Sequence, residues 1–202
     1  MIIDMHMHEM RYSGDSFLRL ENMVEIAKHR GLDGICITDH DSMGLKEFAA
    51  EYSEKTGFPI FVGIEFYSLQ GDIVAFGIED YPKERIPAQE FVDLVQAQGG
   101  MCFSAHPFRN NNRGLEENLK IVKGLDGIEV LNGSTLYEAN RKAAEYAAEL
   151  GLATVGSSDC HVPEKLGIYA TYFPREIRSV QELIRSVKRC ETLPVYYKEG
   201  GY

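Results

Sequence analysis

The chain has 202 residues, of which 44% are hydrophobic and 26% charged, a balance that fits one domain with a sizeable core. Its formal net charge of −10 speaks against a general nucleic-acid-binding surface and leads to the expectation that extended duplexes are excluded, while short nucleotides stay open. No apolar run approaches the roughly 18 residues of a membrane span, and no signal-peptide pattern precedes the first strand, so no membrane association and a cytoplasmic location are expected.

Apolar strand runs alternate with amphipathic helical stretches. Residues 2–8 read as a strand and 16–30 as a helix with Leu18, Met23, Ile26 and Ala27 on one side, ended by Gly31. A strand over 33–38, a helix over 43–55 and strands over 60–66 and 73–78, paired as a hairpin, come next. Pro87 opens a helix over 88–98. The second half predicts strands at 101–105, 127–131, 153–157 and 169–173, helices at 115–122, 136–150 and 180–190, and an edge strand over 193–198. Ser179 is the N-cap of the last helix. About seven such units and no linker predict a single compact domain over 1–202, with a parallel sheet and helices outside.

Five of the six histidines fall at predicted strand ends: His6, His8, His40, His106 and His161. His6 and His8 stand two apart on a strand, so both rings face one side. Asp159 and His161 repeat that spacing, and Glu65 ends another strand. Imidazoles and carboxylates at the C-terminal ends of separate strands share one rim in a closed parallel barrel, shorter here than the roughly 250 residues of the eight-stranded form. An open doubly wound sheet would gather them at one switch point instead. His29, late in a helix beside Arg30, reads as a partner of the helix dipole. Asp4 is placed to orient a ligand, Asp39 and Asp41 as helix caps or ligands, and Glu9 and Glu129 as supporting carboxylates. Cys36, Cys102, Cys160 and Cys190 show no CxxC spacing.

The segments Asp4-Met-His-Met-His8, Thr38-Asp-His-Asp41, Gly63-Ile-Glu65, Ala105-His-Pro107 and Ser158-Asp-Cys-His161 resemble, in order, the motifs of the PHP superfamily (polymerase and histidinol phosphatase). The resemblance implies a distorted (β/α)7 TIM-like barrel and a metal-dependent phosphoesterase, acting through a metal-activated hydroxide at a di- or trinuclear site. One metal would take His6, His8, Glu65 and Asp159. A second would share Glu65 and take His106, with Asp72 where the family commonly has a histidine. A third would take His40, His161 and Asp15, although Ser13-Gly-Asp15 departs from the Ser-Asp-Gly common in the family. The mixed nitrogen and oxygen donors suit Mn²⁺, Zn²⁺ or Fe²⁺. Asp159, His161 and Glu65 are the candidates for proton transfer and for bridging cations. Arg109 and Arg113, in the loop after His106, are candidates to bind the phosphate, ahead of Arg11 and Lys165. The expected substrate is a phosphorylated small metabolite or nucleotide. The alternatives are an amidohydrolase-like hydrolase, disfavoured by the lack of a lysine at a strand exit, and a metal-binding module without turnover.

Overall fold

Short strands whose side chains are buried on both faces form the centre of the computed structural model, which describes residues 1–198 and 201–202. In chain order the elements are β1 (Ile2–Asp4), α1 (Leu20–His29), β2 (Gly34–Ile37), α2 (Lys46–Thr56), β3 (Ile60–Val62), β4 (Ile64–Tyr67), β5 (Asp72–Phe76), α3 (Ala88–Ala97) and β6 (Met101–Ser104). Then come β7 (Gly127–Asn132), α4 (Tyr137–Leu150), β8 (Ala153–Ser157), β9 (Tyr169–Tyr172), α5 (Val180–Lys188) and β10 (Leu193–Tyr196).

These strands do not close into the expected parallel barrel. They form two five-stranded sheets, ordered β10-β9-β1-β2-β3 and β4-β5-β6-β7-β8. The β1–β2, β2–β3, β6–β7 and β7–β8 pairs are parallel, whereas β9 pairs antiparallel with β1 and β10, and β5 with β4 and β6. Gly63 explains much of the difference. A Cβ at this position would run into the carbonyl of Ala75 and stand 2.7 Å from the Phe76 ring. The backbone passes too close to β5 for any side chain, and the predicted strand over 60–66 breaks there into β3 and β4, one in each sheet. The expected β4–β5 hairpin forms.

The predicted helix over 115–122 shrinks to a 3₁₀ turn, Glu116–Lys120. Glu116 has φ +49, outside helical space, so the apolar spacing of Leu115, Leu119 and Val122 cannot be used by a longer helix. Elsewhere the local rules hold. Gly57 and Gly151 end α2 and α4 in the left-handed conformation, and Ser179 forms a full capping box with Glu182 at α5.

The core has three parts. Helices α3 and α4 pack on the second sheet, with the Phe66 and Phe91 rings stacked at 4.1 Å. Helices α1 and α2 cover the first sheet through Leu20, Met23, Val24, Ala27 and Ala49. Between them Ile3, Met5, Phe61, Val74, Phe76, Phe103 and Val155 form a shared interior. Cys36, Cys102 and Cys160 are buried free thiols, whereas Cys190 is exposed. Among the described residues no helix is long and apolar enough to cross a membrane.

At one end the sheets join through single backbone bridges, Met7 to Cys160 and His40 to Glu65. His8 N–H donates to the Cys160 carbonyl, Asp159 N–H to His6, and Asp41 N–H to Glu65. The seams between the sheets therefore run between the segments that carry the candidate ligands.

Candidate metal centre

His6 and His8 follow β1 directly, and their rings come together with Nε2 atoms 3.1 Å apart, as their spacing requires. His40 follows β2, Glu65 lies within β4, His106 follows β6, and Asp159 and His161 follow β8. Because β5 runs antiparallel, Asp72 at its start reaches the same rim. His106 and Asp159 adopt positive φ, +26 and +49. Such conformations are costly for side-chain-bearing residues and gather at functional sites. Here they turn the two side chains off the strand direction and into the rim.

The donors meet around Glu65. Its Oε1 lies 2.9 Å from His106 Nε2 and 3.3 Å from His6 Nε2, and its Oε2 lies 2.6 Å from His40 Nδ1. Asp159 Oδ1 stands 3.3 Å from His8 Nε2. Asp15 Oδ2 is 3.3 Å from His40 Nε2 and 3.4 Å from His161 Nε2, at the exposed mouth. Three groups have donor atoms close enough to share a cation: His8, His40 and His161; His6, His8 and Asp159; His6, Glu65 and His106. His6, His8, His40, Glu65, His106, Asp159 and His161 are thereby brought together, with Asp15 beside them.

Two observations test whether these residues fit metal ions. Glu65 Oε2 and His40 Nδ1 approach to 2.6 Å, yet neither has a hydrogen-bond partner of acceptable geometry, and both are buried. Buried polar atoms are rarely left so; ligation of a cation by each would account for it, His40 grouping with His8 and His161 and Glu65 with His6 and His106. The tautomers also fit. Glu129 Oε1 lies 3.2 Å from His6 Nδ1, and Ser13 Oγ lies 3.2 Å from His8 Nδ1 while donating to Asp39 Oδ1. Each outer ring nitrogen has an acceptor, which leaves both Nε2 lone pairs for a cation.

Electrostatics agree. Burial pulls the His6 pKa down, but Glu129, Glu65 and Asp159 outweigh it and hold the ring well above its usual range. A divalent ion held here would meet the demand for positive charge that these carboxylates place on His6. His8 is pushed down to about 4 by burial, against the Asp159 carboxylate, and so faces the site neutral. His40, half-buried but beside Glu65 and Asp15, rises to about 9. Burial opposes ionisation of Glu65 and Asp159, yet the surrounding histidines keep both well below the usual carboxylate range.

A row of buried groups holds the donors. Glu129 accepts from His106 N–H at 2.7 Å, from Asn132 Nδ2 at 2.9 Å and from Ser157 Oγ, besides touching His6. Asn132 also donates to Asp159 Oδ2 at 3.1 Å. Sequence alone marks Glu129 as a supporting carboxylate and gives no role to Asn132 or Ser13; a glutamate inside the predicted strand over 127–131, with an asparagine directly after it, is the available signal. Asp4 does not orient a ring. Its carboxylate accepts the backbone N–H groups of Ser158 (2.9 Å) and Gly167 (3.0 Å). Asp39 accepts from Glu9 N–H, and Asp41 from Tyr67 N–H, so both stabilise loops.

The two candidate phosphate-binding arginines have different surroundings. Arg109 Nη1 lies 2.8 Å from Asp159 Oδ2, so this carboxylate presents one oxygen to the histidines and the other to arginine. Arg113 grips Asp72 with Nε–Oδ2 at 2.6 Å and Nη2–Oδ1 at 2.9 Å. Asp72 was expected to face a metal; both its oxygens are taken by Arg113, and its nearer one stays 3.7 Å from His106 Nε2. Both arginines line a cleft of ≈170 Å³ together with Asp15, Asn111, His40, Glu65, His106, Asp159 and His161, with His6 and His8 buried beneath it. Among the described residues Lys165 reaches Ser134 at the surface, Arg11 pairs with Glu9 and Glu21 outside the cleft, and His29 lies apart from it.

Residues 137–192 match a protein-family model described as PHP-associated. A probable phosphatase of Caldicellulosiruptor saccharolyticus is 24% identical over 209 residues, covering 98% of this chain and 78% of its own. Among solved structures, a Bifidobacterium adolescentis protein provisionally described as a metal-dependent phosphoesterase superposes with a TM-score of 0.67 at 20% identity, over 80% of this chain and 88% of that one. Endonuclease Q, in complex with a 27-mer duplex bearing an abasic lesion at its active site, superposes at 0.73 and 17% identity over 94% of this chain and 57% of its own. At these identities the likeness is one of fold. It nevertheless overturns the expectation that an acidic chain excludes extended duplexes, since the same fold holds one at its active site. A total charge of −10 does not report the charge at a rim carrying Arg109, Arg113 and cation donors.

Proposed function

We propose that this chain, a member of the PHP superfamily and a phosphoesterase, hydrolyses its phosphoester at the rim cleft with two or three divalent ions of the Mn, Zn or Fe type. We read residues 1–202 as one domain built around that cleft. The observation that carries the reading is the sharing of donors. The three clusters interlock through His6 and His8, each within reach of two of them. With one free lone pair per ring an imidazole serves one ion at a time. Glu65, which turns Oε1 to His6 and His106 and Oε2 to His40 and His8, is the group that could span neighbouring ions. Divalent ions in such a place polarise phosphoryl oxygens and make water acidic enough to attack near neutral pH.

The chain's own residues do the rest. Arg109, fixed on Asp159, keeps further N–H groups for phosphate oxygens. Glu129 and Ser13 hold the His6 and His8 rings in the tautomer that faces the cleft. With ions in the two inner clusters only, His161 and Asp15 stand free at the open mouth, placed to pass a proton to the departing oxygen; a third ion would take His161 as a ligand instead. Glu65 and Asp159 stay ionised and hold the cationic groups together. The cleft of ≈170 Å³ falls below the roughly 300 Å³ at which pockets begin to enclose whole ligands, so it admits the reacting phosphate and leaves the rest of the substrate across the rim. A phosphate carried on a nucleic-acid strand therefore belongs among the substrates, together with smaller esters.

The test is turnover of Mn-, Zn- and Fe-loaded protein on phosphomonoesters, nucleotides, duplex DNA with an abasic site and, as a control, amides. Metal-dependent phosphoester cleavage that disappears in Glu65→Ala is expected. Fully metallated protein that cleaves none of the phosphoesters would end the reading, and turnover of amides alone would replace it.

A further inference from the structure

Resting on the metal-site reading above, one corner of the rim departs from the pattern of the others. Elsewhere on the rim each carboxylate keeps an oxygen facing imidazole nitrogens: Arg109 takes Oδ2 of Asp159 but leaves Oδ1 to His8. At Asp72 a cation is already built in. Arg113 binds both oxygens of this fully buried carboxylate, and its Nη2 also stands 3.9 Å from Glu65 Oε2. The guanidinium is held from its other sides as well. Its Cζ lies 4.4 Å from the centre of the Tyr67 ring, which Arg85 also stacks against at 3.6 Å.

The backbone is built for this pairing. Asp72 N–H donates to the Arg113 carbonyl at 2.6 Å. Gly71, at φ +149, lets the two loops touch: a Cβ there would stand 2.6 Å from the carbonyl carbon of Gly114 and 2.7 Å from Leu115 N. Asp72 and Arg113 are thus locked together by main chain and side chain, 41 residues apart in sequence. A bidentate arginine leaves the carboxylate little freedom to turn toward His106.

We infer that the Asp72–Arg113 pair stands in for a metal ion at this corner. Arg113 supplies fixed positive charge to Asp72 and to the adjacent Glu65 oxygen. The chain accordingly holds one divalent ion fewer than its rim accepts once that guanidinium is gone. Once His6 serves the ion shared with His8 and Asp159, His106 and Glu65 lack the third donor that a free Asp72 would add. Arg113 acts here as a positioning residue, and its rigidity gives the cleft one wall whose charge does not depend on metal supply.

Metal content tests this without reference to turnover. Wild type, Arg113→Met and the double variant Arg113→Met/Asp72→Asn are equilibrated with excess Mn²⁺, freed of unbound ion and analysed by mass spectrometry for Mn per chain. Arg113→Met should carry one ion more than wild type, and the double variant should return to the wild-type number. Equal content in wild type and Arg113→Met overturns the inference, as does an extra ion that survives in the double variant. If Arg113→Met does not fold, anomalous scattering from Mn-loaded wild-type crystals decides: no ion ligated by Asp72 is expected, and one found there overturns the inference. A wild type that binds no ion refutes the metal-site reading itself, a result distinct from those two.

Discussion

The two sheets bring different chemistry to the rim. The one built on β1, β2 and β3 ends in imidazoles, His6, His8 and His40. The other, from β4 to β8, brings the carboxylates Glu65, Asp72 and Asp159 along with His106 and His161. Each of the three donor clusters draws on both sheets. The site is therefore a property of the seam, and neither sheet contains it. The manner of delivery differs too. His6 and His8 arrive by simple strand alternation, whereas His106 and Asp159 need left-handed backbone, and Glu65 needs the break at Gly63 that carries the chain from one sheet to the other.

The sharpest way to break this division is at Glu65, where the second sheet touches three histidines of the first and His106 of its own. Glu65→Ala should lower kcat/KM for any accepted phosphoester by about a thousandfold or more, as expected when a group shared by the reacting centre is lost. Metal analysis of the same variant should show at least one ion lost per chain. Retained activity with retained ions would mean that the sheets do not meet through this carboxylate.

Glu129 probes support supplied by the second sheet to a histidine of the first. Replacing it with Gln keeps the shape but removes the charge beside His6 Nδ1. Supporting partners of metal ligands are typically worth about 10- to 100-fold in affinity or activity. A metal titration of Glu129→Gln should show a weakening of that order; an unchanged midpoint would assign Glu129 to packing alone.

The comparison also explains what could be read from sequence. The pairing of His6 with His8 was legible because strand period two is a local rule, and the Ser179 cap and the helix stop at Gly31 because helix ends follow local rules too; Glu65 lies within β4 and not at the strand end expected. The break at Gly63 was not, because it depends on how closely Ala75 and Phe76 approach. The fate of Asp72 depends on Arg113, and no local pattern links them. The duplex exclusion failed for a related reason: net charge sums the whole surface, and binding depends on one rim.

Gly63→Ala tests the crossing itself. The added methyl meets the Ala75 carbonyl and the Phe76 ring, so β3 or β4 must shift. Overpacking of this kind costs about 1–3 kcal/mol. Chemical denaturation should show that loss, and metal affinity should fall with it because Glu65 lies two residues away. A stable Gly63→Ala protein with intact metal binding would show that the two sheets tolerate displacement without loss of the site.

Asp4 gives the smallest and most specific probe, because it pins the seam without touching a donor ring. From β1 in the first sheet it accepts the backbone N–H groups of Ser158 and Gly167, in the segment that leaves the second. Burial raises its pKa from 3.8 to about 7, against the lowering effect of those hydrogen bonds. Between those two values the folded chain holds a proton that the unfolded chain has released, so this group makes stability fall as pH rises through that window. Other groups titrate there as well: His8 is pushed down, which adds stability as pH rises from about 4 to its ordinary value of 6.5. The difference between wild type and Asp4→Asn cancels such shared contributions to first order. Near pH 4 the variant should be less stable by roughly 1 kcal/mol, the usual worth of one hydrogen bond, since an amide cannot accept from both N–H groups. Toward pH 8 the gap should close or reverse, because Asn carries no buried charge. Metal-free denaturation curves across that range measure it. A gap that stays constant with pH would mean that Asp4 keeps the same charge in the folded and unfolded chain, and that the seam is held by an ordinary ionised carboxylate.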